Sequence, residues 1–100
     1  MADGLLPEGH VARRLRITGR VQGVWFRGWT VDTAKALGLD GWVRNRLDGS
    51  VEALVVGAED AVEDLIRRAH SGPPSAEVER VQVEPAQGIV AEGFVQKPTV

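Results

Sequence analysis

The hydrophobic period of this chain changes from two to about 3.6 and back, twice, and that alternation limits the folds open to it. In residues 11–18, Leu15 and Ile17 alternate with Arg14, Arg16 and Thr18, which predicts a strand with one buried face. Arg13 interrupts the apolar row near the strand's start. Residues 25–37 then set Phe26, Thr30, Thr33, Ala34 and Leu37 on one helical stripe, bordered by Trp29. Lys35 suits that helix's negative end, and Gly38 is a natural stop. Residues 39–46 read as a second strand and Asp48-Gly49 as a hairpin turn. The returning strand, 51–56, is apolar on both faces and is predicted to be central. Gly57-Ala58-Glu59-Asp60 opens a second helix, whose Ala58, Ala61, Val62, Leu65, Ile66 and Ala69 form a full apolar stripe. Glu59 and Asp60 occupy its positive end, Arg67, Arg68 and His70 its negative end, and Gly72-Pro73-Pro74 stops it. Val81 and Val83 alternate with Arg80 and Gln82 over residues 78–84. Phe94-Val95 is a short closing strand at an edge, ended by Pro98.

The order is β-α-β-β-α-β plus a short strand. It predicts the split-βαβ, ferredoxin-like arrangement of the α+β class: a two-layer sandwich with an antiparallel sheet and two helices on one face. One hundred residues make one domain, here 10–97, after a leader of residues 1–9 that carries Gly, Pro and acids without a period. A net charge of −2 weighs against nucleic acid or an acidic membrane surface as partner. The chain has no cysteine, which excludes disulfides, thiolate metal sites and thiol catalysis. His10 and His70 lack companions at metal-ligand spacing, so no metal is expected. The first residues have no basic segment followed by a long apolar core, and no apolar run reaches the length of a membrane span. A cytoplasmic monomer is the resulting expectation.

Between the first strand and the first helix lies Gly19-Arg20-Val21-Gln22-Gly23-Val24-Trp25-Phe26-Arg27. A strand, a glycine-bearing loop and a helix start can make an anion site. The loop and first helical N–H groups have no intrahelical partners, and the helix dipole adds partial positive charge. Arg27, in the first turn, can add a bidentate guanidinium contact to a phosphate. No Lys-Ser/Thr pair follows the second glycine, so this is no Walker A loop, and the glycine spacing is not G-x-G-x-x-G. The stretch holds no Ser, His, Asp or Glu. Any phosphate chemistry here binds and polarises without a covalent intermediate. The plain alternative is a glycine-containing connection that binds nothing. Val43 and Asn45 share one face of the second strand, and Trp42 and Arg44 the other. If Val43 faces the helices, Asn45 lies on the layer where Arg27 starts its helix; otherwise it satisfies the hairpin backbone. Trp25 and Trp29, four residues apart, can stack, flank a ligand or pack on a neighbouring loop. The basic face of the first strand is open to two readings, a solvated sheet surface or a ligand or RNA surface.

The loop resembles the acylphosphatase signature G-x-V-Q-G-V-x-F-R, which Gly19, Val21, Gln22, Gly23, Val24, Phe26 and Arg27 match. A second family block, G-W-V-x-N followed by a hairpin, resembles Gly41-Trp42-Val43-Arg44-Asn45 and Asp48-Gly49-Ser50-Val51. The similarity runs over about residues 11–94. It implies hydrolysis of a small acyl phosphate to a carboxylate and inorganic phosphate, with no metal or organic cofactor. Inorganic phosphate or another anion would occupy the loop. By this resemblance Arg27 binds phosphate, Asn45 orients water, and Gln22, Gly23, Val24, Trp25 and Phe26 form the cradle. The residues agree with that chemistry. A site lacking a general acid needs a leaving group that departs unprotonated, and a carboxylate, with a conjugate-acid pKa of about 4, does so where an alkoxide does not. Three positions depart from the family pattern. Gly28 stands where a larger residue is common, Arg46 where a small hydroxyl residue is, and the tail 96–100 lacks a final aromatic and basic pair. The competing readings are a binding module on the same fold and a relative of the acylphosphatase-like domain of hydrogenase-maturation carbamoyltransferases.

Overall fold

Alternation in the first strand is resolved by packing: Leu15 and Ile17 are each 1% exposed, whereas Arg14 lies in solvent. The computed structural model describes residues 6–88 and 90–100. β1 (His10–Arg20) is followed by α1 (Phe26–Ala36), β2 (Asp40–Asn45), β3 (Val51–Ala58), α2 (Glu59–Ala69), β4 (Glu77–Pro85) and β5 (Phe94–Gln96). The sheet order is β4-β1-β3-β2-β5. Four strands pair antiparallel, as the ferredoxin-like order requires, and the short β5 runs parallel to β2.

β3 is central, and its residues from Val51 to Gly57 are all buried. Val51, Ala53 and Val55 join the main core with Leu15, Ile17, Val43, Phe26, Ala34, Val62 and Leu65, between sheet and helices. Glu52, Leu54 and Val56 face the other way. There Ala12, Leu54 and Val56 form a second, smaller apolar cluster, against which Leu6, Trp42, Ala86 and Val90 pack. The segment expected as a leader therefore contributes Leu6 to packing, while Met1–Leu5 lie outside the described residues.

Two boundaries differ from the sequence reading by more than one residue. β3 continues through Gly57 and Ala58, which pair with Val11 and His10, so α2 opens at Glu59 with Ala58 as its N-cap. The ladder to β1 outweighs the weak strand preference of Gly57. β1 runs on to Arg20 because β4 pairs with it past an irregularity at Thr18/Gly19. Gly19 has φ 118°, and a Cβ there would come within 2.7 Å of the Glu79 nitrogen, so this crossing needs glycine. The helix stops fall where the glycines predict: Gly38 and Gly72 have φ of 73° and 65°, and Gly72 N–H donates to Arg68 O at 2.9 Å. Among the described residues no helix is long and apolar enough to cross a membrane.

Candidate active site

The connection from β1 to α1 is a curled backbone. Val21 is buried and pins its start, and Phe26 is buried and pins its end. Between them φ is positive at Gly23 (75°) and at Trp25 (68°) but not at Val24. Alternating φ signs of this kind turn successive N–H groups toward one point, an anion-binding nest. In α1 the N–H of Trp29 donates to Trp25 O at 2.9 Å, the first 5→1 bond of the helix. The N–H groups of Phe26, Arg27 and Gly28 precede it and are the helix's unpaired N-terminal donors. Trp25, in the left-handed region without a glycine's freedom, costs about 1–2 kcal/mol.

Asn45 ends β2 on the face it shares with buried Val43, toward the helices, while Trp42 and Arg44 point the other way. Its Oδ1 is buried and has no hydrogen-bond donor among the described residues. An orphaned buried acceptor is uncommon and calls for a partner from outside the chain. Arg27 forms no ion pair with a described carboxylate, whereas Arg44 and Arg46 are both held by Glu52, at 2.9 and 2.7 Å. A cavity of about 110 Å³ brings Gly23, Trp25, Phe26, Arg27 and Asn45 together. Val21, Gly28 and Gln96 complete its wall. Two larger hollows, of about 180 and 230 Å³, contain none of these residues.

Gln22 and Val24, also expected in the cradle, do not line this cavity. The Gln22 side chain turns to the β2–β3 hairpin, where Nε2 donates to Arg46 O at 2.8 Å and to Ser50 O at 2.9 Å. Val24 packs against the main core. Gln96 was missed by sequence reasoning, and only the parallel pairing that sets it beside Val43 brings it to the site. No local signal marks it. Arg46, the hairpin departure from the family pattern, lies at Glu52 and not in the cavity. Trp25 and Trp29 part company: Trp29 packs edge-on against Phe26 at 5.4 Å between ring centroids, and the Trp25 indole covers Gly28. A Cβ on residue 28 would lie 2.7 Å from Cδ1 of Trp25 and closer still to Cε2 and Nε1. Glycine within a helix costs about 1 kcal/mol relative to alanine, and here it makes room for a ring.

The hairpin beside the cradle is fixed by charge. Ser50 donates to Asp48 Oδ1 through its hydroxyl (2.6 Å) and its N–H (2.9 Å), which together with Arg16 holds the Asp48 carboxyl below its ordinary pKa. Burial pushes the Glu52 carboxyl up, but hydrogen bonds and charge from Arg44 and Arg46 more than offset it and leave the pKa lowered. Both carboxylates are therefore ionised at neutral pH, Asp48 pairing with Arg16 and Glu52 with Arg44 and Arg46.

Fold and site define a class: an α+β sandwich of ferredoxin-like topology with a small cavity at the head of its first helix. The acylphosphatase family profile matches residues 13–96. A relative described as acylphosphatase from Rhizorhabdus wittichii is 58% identical over 90 residues, covering 90% of this chain and 91% of its own length. Another, from Rhodospirillum rubrum, is 57% identical over 86 residues, with coverage of 86% and 94%. Among solved structures, an acylphosphatase from Coxiella burnetii superposes with a TM-score of 0.83 at 32% identity, covering 90% of this chain and 95% of that one. The chain belongs to the acylphosphatase family, whose members are hydrolases of acyl phosphates.

Proposed function

We propose that this protein hydrolyses the carboxyl–phosphate bond of small acyl phosphates at the β1–α1 cradle, without a covalent intermediate, a metal or an organic cofactor. The observation that carries the reading is the convergence of Arg27, the curled Gly23–Trp25 backbone and the unpartnered Asn45 Oδ1 on one cavity. The phosphoryl oxygens sit among the loop and helix N–H groups. Arg27 clamps them through its guanidinium. A water donates one hydrogen bond to Asn45 Oδ1 and attacks phosphorus in line with the departing carboxylate. The new P–O bond forms from the water, the old one breaks, and its electron pair leaves on the carboxylate. The water's proton passes to a phosphate oxygen or to solvent. No side-chain acid is required, because the leaving group is a weak base. Preorganised donors around a metaphosphate-like transition state supply the stabilisation. Gln22 acts as a positioning residue: it ties the loop to the hairpin that carries Asn45. The reading places the enzyme in the cytoplasm as a monomer.

The test is hydrolysis of benzoyl phosphate in excess chelator. The wild-type protein is expected to turn over. Arg27→Ala and Asn45→Ala are each expected to lose at least about 10²-fold in kcat, the scale of one lost oxyanion-type donor, with unchanged far-UV circular dichroism. Turnover that vanishes in chelator, or a variant at near-normal rate, overturns the mechanism.

A further inference from the structure

We propose that Trp25 and Gly28 together form a wall that selects the acyl group, favouring substrates whose acyl carbon carries a flat apolar substituent over those with a methyl. This deepens the hydrolytic reading above and rests on it. Three observations converge. Trp25 is 62% exposed although it belongs to the cavity wall, so its indole offers a face to whatever leaves the cradle. Its backbone is held at φ 68° and ψ 22°, a conformation that bulky residues rarely adopt. Its ring rests over residue 28, where only glycine leaves space for it. Each choice is locally unfavourable: a strained tryptophan, an exposed ring and a helical glycine. None of them helps the fold, and such choices collect at sites where geometry serves binding. Here the geometry is a ring at the rim, beside the N–H groups and Arg27. With phosphate bound at the nest, the acyl group projects outward past Trp25, with Gln96 also on the cavity wall. A planar acyl substituent can stack on the indole, and a methyl cannot. Aromatic pairs of this kind are worth roughly 2- to 12-fold in affinity.

The experiment compares binding with turnover. Benzoylphosphonate and acetylphosphonate, which keep the acyl group and cannot be hydrolysed, are titrated calorimetrically into wild-type protein, Trp25→Gly, Trp25→Phe and Gly28→Ala. Benzoyl and acetyl phosphate are run in parallel as substrates. The wild type is expected to bind benzoylphosphonate about fivefold more tightly than acetylphosphonate. Trp25→Gly removes the ring and relieves the backbone, and is expected to lower that ratio at least threefold. Trp25→Phe retains a ring and is expected to keep the ratio within twofold. Gly28→Ala displaces the indole from a second position, so it decides the matter even if Trp25→Gly does not fold. A wild type without preference, or an unchanged ratio in folded Gly28→Ala, overturns the wall. Selective phosphonate binding without turnover overturns the hydrolytic reading and leaves the wall standing. Turnover with an unaltered ratio, or without phosphonate binding, does the reverse, and absence of both turnover and phosphonate binding overturns both.

Discussion

Gln22 illustrates how a residue can serve the site without touching its contents. Its amide spans from the cradle loop to two carbonyls of the hairpin, Arg46 O and Ser50 O. Each such bond is worth about 0.5–1.5 kcal/mol net, and an orphaned buried acceptor costs more. Gln22→Leu should lower stability by about 1–3 kcal/mol in urea and reduce kcat as well, because Asn45 is no longer held at a fixed distance from Arg27. An unchanged urea midpoint would mean that other contacts hold the hairpin. At this scale Arg27 and Asn45, which meet at one cavity, were singled out by the resemblance of their blocks to the family signature; alternation alone put Asn45 on the helix face only on condition that Val43 faces the helices, as it does. The direction of the Gln22 side chain was not readable, because its acceptors lie 24 and 28 residues away.

On the open face of the sheet, the central strand carries a buried carboxylate. Glu52 is 3% exposed and receives Arg14 and Arg44 from the two neighbouring strands and Arg46 from the hairpin. Because its pKa is lowered in the fold, the unfolded chain binds the proton more readily in acid. The stability this gives is fully present above the unfolded pKa of about 4.3 and is lost as pH falls through the lower folded value. The urea midpoint of the wild type should therefore drop more between pH 6 and pH 3 than that of Glu52→Gln. At pH 7 Glu52→Gln should be less stable by about 1.5–3 kcal/mol, the usual worth of hydrogen bonds to a charged group. Parallel pH profiles for the two proteins would remove Glu52 as the cause. Elements were legible as types and less so as extents. The stripe of α2 was complete, yet Ala58 belongs to β3, since pairing with His10 decides a boundary that periodicity leaves open. The parallel course of β5 was not legible either, for three residues carry no direction of their own.

For the molecule as a whole, core and cavity share Val21 and Phe26, while the part of the core under α2 lies away from the cavity. Leu65 of α2 is 1% exposed in the main core and forms no part of the cavity wall. Leu65→Ala should cost about 2–5 kcal/mol through lost burial and the cavity left behind. Its kcat/KM, measured well below its melting temperature, should stay within twofold of wild type. A large kinetic loss in folded Leu65→Ala would show that α2 packing reaches the cradle.

The sequence alone determined the order of elements and the two-layer class, and its resemblance to the acylphosphatase signature singled out Arg27 and Asn45. The order and the class depend on short-range physics: hydrophobic period, glycine's backbone freedom, helix-end charge and strand alternation. Tertiary structure alone decided that Gln96 reaches the site, that Arg44 and Arg46 meet on Glu52, and that the Trp25 ring covers Gly28. The first joins segments distant in the chain, the second depends on the register of one hairpin, and the third needs a backbone turn that favours no side chain. Local propensities are silent on such arrangements, because their energies arise only once the strands have paired and the helices have docked.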